Sequence, residues 1–134
     1  MKKLKSIKSL KKQAWKLMSE YVRRRDRGVC FTCGDQRPWK GQQAGHFVHK
    51  DCLDFDFRNI NCQCVRCNKW LHGNLTVYAE RLIQTCGPGI VHKLVRKGLE
   101  VKKFSREELA SIIYGLQNRI KTLGNVVSGK EVEE

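Results

Sequence analysis

Cys64-Val65-Arg66-Cys67-Asn68 decides the fold when it is read with the earlier knuckle Cys30-Phe31-Thr32-Cys33 and the segment Ala44-Gly45-His46-Phe47 between them. Each Cys-x-x-Cys turn presents two thiolates at the bite a tetrahedral zinc ion prefers. Two such turns make a closed four-sulfur set, with no coordination position left for chemistry. One pair alone would also fit a redox site; two pairs point to a structural metal. The 30 residues between Cys33 and Cys64 exceed the spacing of a compact zinc ribbon and leave room for a hairpin and a loop. With 134 residues, the chain can bury a modest core and gains from such a staple.

Working outward, the segment from Ser9 to Arg27 carries Leu10, Ala14, Leu17, Met18, Tyr21 and Val22 at helical steps, with Lys and Arg elsewhere and Gly28 as a stop. It predicts an amphipathic N-terminal helix over 9–27 with a basic outer face. Gly34, Asp35, Pro38 and Gly41 mark turns, so residues 29–49 read as a knuckle and a β-hairpin whose second strand runs from Gln43 to His49. Residues 50–63 have no clear period and read as a loop, with Phe55, Phe57 and Ile60 tucked beneath it. A helix is expected after Cys67, interrupted at Gly73-Asn74 and continuing through Leu82 to Cys86-Gly87. A short helix over Ile90 to Arg96 follows, and Ser105-Arg106-Glu107-Glu108 has the spacing of a capping box opening a last helix over 105–123. The fold class is therefore α+β, a single domain over 1–124 with a zinc-clamped core at about 28–86, and residues 125–134 read as a disordered acidic tail.

The formal net charge is +14, and residues 1–27 hold eleven Lys and Arg against Glu20 and Asp26, so +9 of the excess lies in the first fifth of the chain. Nucleic acid is the natural partner of such a field. No apolar run approaches the length of a membrane span, and the basic N-terminus lacks a signal-peptide core, so the expected location is the cytoplasm. Without an oxidising compartment, thiolates on a metal are favoured over disulfides. That leaves Cys52, Cys62 and Cys86 as small buried side chains, with Cys62 near enough to the second knuckle to compete for the ion in another register.

Hydrolysis of a phosphodiester needs a base for water and a cation for the charge building on the phosphate. His46 on a strand suits the first role. Asn68, its amide oxygen suited to a hard ion such as Mg²⁺, suits the second. Arg23, Arg24, Arg25, Arg66 and Lys69 lie on segments that the staple draws toward His46, and their heads suit backbone phosphates more than base edges.

On Cys30-x-x-Cys33, Ala44-Gly45-His46-Phe47, Phe55-x-x-x-Asn59, Cys64-x-x-Cys67-Asn68 and Gly73-Asn74 followed by Tyr78 and Leu82, the chain resembles the HNH/His-Me finger (ββα-metal) nucleases, and more closely the phage lambda NinG (Rap) family of recombination nucleases. The resemblance also takes in Trp15, Tyr21 and Phe104-Ser105-x-Glu107-Glu108-Leu109, covering roughly residues 13–120. It implies a zinc-stapled ββα-metal, treble-clef-like core with a basic N-terminal helix and added C-terminal helices. It implies a structure-specific endonuclease acting on branched DNA such as Holliday junctions, D-loops and flaps, with His46 as general base and Asn68 on catalytic Mg²⁺ or Mn²⁺. Asn59 would orient His46 by accepting a hydrogen bond from its imidazole. Many HNH members carry Asp before the base, where this chain has Gly45, so the metal site is expected to be lean, with His49, Asp51, Asp54 and His72 as helpers. The alternative from another class is a non-catalytic zinc protein that presents DNA to a partner. Symmetric junction cleavage would favour a homodimer, on which apolar periodicity is silent.

Overall fold

The computed structural model describes residues 4–133, with side chains as far as Gly124. Helix α1, Ile7–Arg25, begins at Ser6, whose hydroxyl accepts from the Ser9 N–H at 3.1 Å, a standard N-cap that satisfies one orphan donor. Strand β1, Gln43–His46, pairs antiparallel with β2, Ile60–Gln63, in the register Gln43↔Gln63 to His46↔Ile60. A π-helical turn at Arg66–Trp70 leads into α2, Leu75–Cys86; α3, Ile90–Lys97, and α4, Arg106–Glu133, complete the chain. The architecture is α+β: a small two-stranded sheet among four α-helices.

The partner of β1 is not the segment expected. Residues 29–41 contribute only the isolated bridge Val29↔Gln36, and the true second strand lies where a loop was read. The reason is burial on both faces: Ile60, Asn61, Cys62 and Gln63 are all buried, so the alternation that betrays a half-exposed strand is missing. Helices α1 to α3 and the start of α4 match their sequence signals closely. Ser105 and Glu108 form the reciprocal capping box, Ser105 Oγ accepting from the Glu108 N–H at 3.1 Å and Glu108 Oε1 from the Ser105 N–H at 3.2 Å. Helix α4 continues past the expected stop at Gly124 to Glu133, through the stretch read as a disordered tail; side chains beyond Gly124 and all of Glu134 lie outside the described residues.

The sheet has two differently furnished faces. Ala44, Ile60 and Cys62 pack on Met18, Tyr21 and Val22 of α1, with Leu116 of α4 behind them. Opposite, Tyr78 of α2 is fully buried, donates from its hydroxyl to the Gly45 carbonyl at 2.8 Å and accepts from Asn61 Nδ2 at 3.1 Å. Tyr78 also joins Leu53, Leu82, Ile90 and Leu94 in a second core that seats α2 and α3.

The loop between the strands sends Leu53, Phe55 and Phe57 into the cores and is held elsewhere by polar groups. Asp56 accepts from the Arg58 backbone N–H at 2.9 Å and from its guanidinium, and takes Lys97 Nζ at 3.3 Å, tying the loop to α3. Burial alone would raise the Asp56 pKa, but these donors outweigh it and bring it down to about 2. Because the folded value lies below the ordinary one, Asp56 contributes stability above about pH 4 that is lost as the pH falls toward 2. Urea melts of wild type and Asp56→Asn should therefore differ at pH 6 and converge by about pH 2; curves that stay parallel would refute the assignment.

Candidate metal centre and polar site

The two knuckles meet. Sγ atoms of Cys30, Cys33, Cys64 and Cys67 lie within 4.8 Å of one another, and the Cys33–Cys64 pair is 3.7 Å apart. A tetrahedron with Zn–S bonds of about 2.3 Å has sulfur–sulfur edges of about 3.8 Å, so the set can hold a zinc ion. Donors already point at the sulfurs: Thr32 Oγ1 lies 3.3 Å from Cys30 Sγ, the Cys67 N–H donates to Cys64 Sγ at 3.4 Å, and Asn74 Nδ2 to Cys67 Sγ at 3.7 Å. Burial pushes the Cys30 thiol up, but Thr32 and nearby N–H groups more than offset it, to about 6, whereas burial and its sister thiols push Cys33 up to about 12. Thiolates crowded this closely repel until a cation joins them.

Of the other cysteines, Cys62 stays out of this set: it is buried in the sheet's apolar face against α1, and burial pushes its thiol up to about 12. Cys52 is half-buried, and Cys86 at the end of α2 is exposed, contrary to the expectation that all three would be buried.

His46 ends β1. Its ring stacks on Trp15 of α1 at 4.7 Å between centroids and on His49 at 5.0 Å, and Nε2 lies 3.0 Å from Asp54 Oδ1. A carboxylate can only accept, so Nε2 carries the proton and Nδ1, which has no partner among the described residues, keeps the lone pair. Asp54 is thus the group that orients His46.

Asn59 does not do so. It is fully buried, its Oδ1 accepting from the Val48 N–H at 2.8 Å and its Nδ2 donating to the carbonyls of Val48 at 2.9 Å and Leu53 at 3.3 Å. The side chain is consumed in closing the loop that carries Asp54. Its effect on His46 is indirect. Among the other helpers, Asp51 pairs with Lys11 at 3.7 Å, and His72 is an exposed residue with a positive φ of 50°.

Asn68 occupies the π-helical turn immediately after Cys67. Its Nδ2 donates to Gln43 Oε1 at 2.8 Å. A Cβ at position 45 would lie 3.0 Å from Asn68 Oδ1 and 1.8 Å from Gln63 Oε1, so Gly45 is required by side chains crossing directly over its backbone. Gln63 is wholly buried; its Nε2 donates to Thr32 Oγ1 and the Gly73 carbonyl, while its Oε1 has no partner among the described residues. Strand pleating sends Gln43 and Gly45 to this face and Ala44 and His46 to the other. His46 therefore projects from the face opposite the one against which Asn68 packs, and no hydrogen bond joins them among the described residues. Gln63 carries no signal in the sequence, Tyr78 enters there only through the resemblance and Asp54 only as one of several helpers, since the contacts that matter are made across the fold.

The five cations divide. Arg25 is inward: its guanidinium makes a two-pronged pair with Asp26 and donates to the carbonyls of Phe57 and Ile60 and to Asn61 Oδ1. It locks the end of α1 to β2 and is not available to phosphate. Arg23 and Arg24 stack over Trp39 at 4.9 and 4.6 Å, and Arg24 also pairs with Glu20 at 3.1 Å. Arg66 and Lys69 are exposed and form no ion pair among the described residues; Arg66 shares a recess with Gly41, Arg37 and Asp35, the last of which pairs with Arg37.

Native mass spectrometry of protein purified without chelator should find one zinc per chain, and Cys64→Ser should lose both the ion and the cooperative melt; a metal-free wild type with an unchanged melt would refute the staple. Arg25→Ala should cost about 2–3 kcal/mol in urea unfolding, because it strands several buried acceptors, whereas Arg24→Ala should stay within about 0.5 kcal/mol.

Comparison with known proteins places the chain in a family. The family model described as Bacteriophage Lambda NinG protein matches residues 1–126. The chain is 33% identical over 120 residues to Protein ninG of Escherichia phage 933W, covering 85% of this chain and 58% of that protein. To Protein ninG of Salmonella phage P22 it is 33% identical over 118 residues, 84% and 56% of the two chains, and to that of Escherichia phage lambda 32% over 120 residues, 85% and 57%. It spans a little more than half the length of these relatives. No solved structure gives a significant match. With the four knuckle cysteines, the hairpin, helices α1 to α3 and most of α4 inside the matched region, the chain belongs to the bacteriophage lambda NinG family.

Proposed function

We propose that this protein is a structure-specific DNA endonuclease of the HNH/His-Me finger type, acting on branched DNA in phage recombination within the host cytoplasm. The observation that carries the reading is the His46–Asp54 pair, 3.0 Å apart at the end of a strand, with Nδ1 left as the basic atom. In the proposed reaction His46 Nδ1 takes a proton from water. The water oxygen bonds to phosphorus as one P–O ester bond breaks, and the departing oxygen takes a proton from solvent. Asp54 holds the ring and stabilises the imidazolium that forms. A bound Mg²⁺ or Mn²⁺ would supply neutralisation of the phosphate charge. By donor type, Asn68 Oδ1 suits such an ion, and the unpartnered Gln63 Oε1 lies beside the same glycine, a lean and wholly neutral donor set. Arg23, Arg24, Arg66 and Lys69 would bind backbone phosphates.

One observation favours the second reading, a zinc protein that presents DNA to a partner without cutting it. The Asn68 amide is already engaged by Gln43, on the face of the hairpin away from His46. The enzyme needs these two side chains to serve one phosphate; the accessory protein does not.

Labelled four-way junction, flap and linear duplex incubated with Mg²⁺ separate the two. His46→Ala should lower cleavage of branched DNA by about 10²–10⁴-fold while keeping zinc and DNA affinity. Asp54→Asn should lower it less and move the acidic limb of the pH–rate profile. Wild-type protein that binds these DNAs but cuts none, in Mg²⁺ or Mn²⁺, would establish the accessory reading.

A further inference from the structure

Three tryptophans are present, and one is out of place. Trp15 packs on His46 and Trp39 lies beneath two arginines, but Trp70 is 76% exposed and has no aromatic or cationic partner among the described residues. Tryptophan carries the largest apolar surface of any side chain and is seldom left bare. In the same segment, from the second knuckle to the start of α2, Val65, Leu71 and Leu75 are also exposed.

The local backbone explains why the indole protrudes. The Leu71 N–H donates to the Arg66 carbonyl at 2.8 Å, a five-residue step that widens the turn, a rarity found most often at functional sites. His72, Gly73 and Asn74 then take positive φ angles of 50°, 95° and 49°, which end the turn at once. The Gly73 N–H returns to the Cys67 carbonyl at 2.9 Å, so the bend is anchored on the metal-ligand knuckle. Trp70 is therefore a bare indole on a rigid stub. Its chain neighbours Arg66 and Lys69 are exposed cations that form no ion pair among the described residues.

We propose that Trp70 is a stacking platform for an unpaired or displaced DNA base, with Arg66 and Lys69 holding the flanking phosphates. Charge selects this occupant. An apolar protein surface would leave two unpaired cations at the rim, whereas a nucleotide supplies an aromatic face and an anion within one residue's length. Every base offers a π-face, so the contact is indifferent to sequence. It discriminates structure, because a base inside a paired duplex must first be unstacked to reach the indole. The inference rests on the reading that this protein binds DNA and supplies a source for branch preference, independent of whether the protein cuts.

The test measures binding on a His46→Ala background without added Mg²⁺, so that cleavage plays no part. The probes are a forked DNA with 2-aminopurine in the unpaired arm and a linear duplex of matched length. Trp70→Ala should weaken fork binding on the order of tenfold, leave duplex binding within about twofold, and abolish most of the DNA-induced tryptophan quenching. Trp70→Phe should recover much of the fork affinity, whereas Trp70→Leu, which keeps the apolar bulk but loses the ring, should not. Unchanged fork binding in Trp70→Ala, equal losses on fork and duplex, or full rescue by Leu would each overturn the proposal while leaving DNA binding intact. A parent protein that binds neither DNA would instead overturn the DNA reading on which it rests.

Discussion

Four sulfur atoms held within 4.8 Å of one another are the constraint on which the rest of the molecule depends. The knuckles that carry them are separated by 30 residues, and everything between is local structure too short to stand alone: a four-residue strand, a turn, a polar loop and a second four-residue strand. A two-stranded hairpin of this size is marginal in water. Joining its ends through the thiols changes the balance, because loop closure is then met once and every contact inside the loop forms at little further entropic cost. Asn74 and Thr32, which point at the sulfurs, belong respectively to the bend before α2 and to the first knuckle. The centre thus organises both the segment that ends in Trp70 and the entry into the sheet.

Around that clamp the sheet separates two chemistries. The face toward α1 is apolar except at its end, where His46 lies between Trp15 and His49 and reaches Asp54. The opposite face is built of amides and a phenol, with Gln43, Asn61, Gln63, Asn68 and Tyr78 bonding to one another or to the backbone. Buried polar networks of this kind depend on being fully satisfied. Gln63 Oε1 is the exception here, and it lies against the one residue in the strand without a side chain.

Much of this was legible in the sequence, and the limits have physical causes. The thiol set followed from spacing alone, since Cys-x-x-Cys is a local geometry. Helices α1 and α4 followed from periodicity and from Ser105 and Glu108, also local. Strand β2 was illegible because a segment buried on both sides has no period. Arg25 was indistinguishable from Arg23 and Arg24 because what sets it apart is a group of acceptors more than thirty residues away. The same holds for Asn59, which serves the loop and not the ring. Asp54 was only one acidic helper among several until the loop brought it to His46. Short-range chemistry could be read directly, and long-range partnership required the fold.

Gly45 carries an evolutionary consequence. The space that a side chain at this position would need is filled by the Gln63 amide, with Asn68 close behind. An acidic side chain cannot be gained at position 45 by one substitution, because residue 63 must first become smaller or withdraw. Such a withdrawal alone would strand Thr32 Oγ1 and the Gly73 carbonyl, the two acceptors that Gln63 now serves. The two positions are therefore coupled, and a side chain at 45 calls for a matching change at 63.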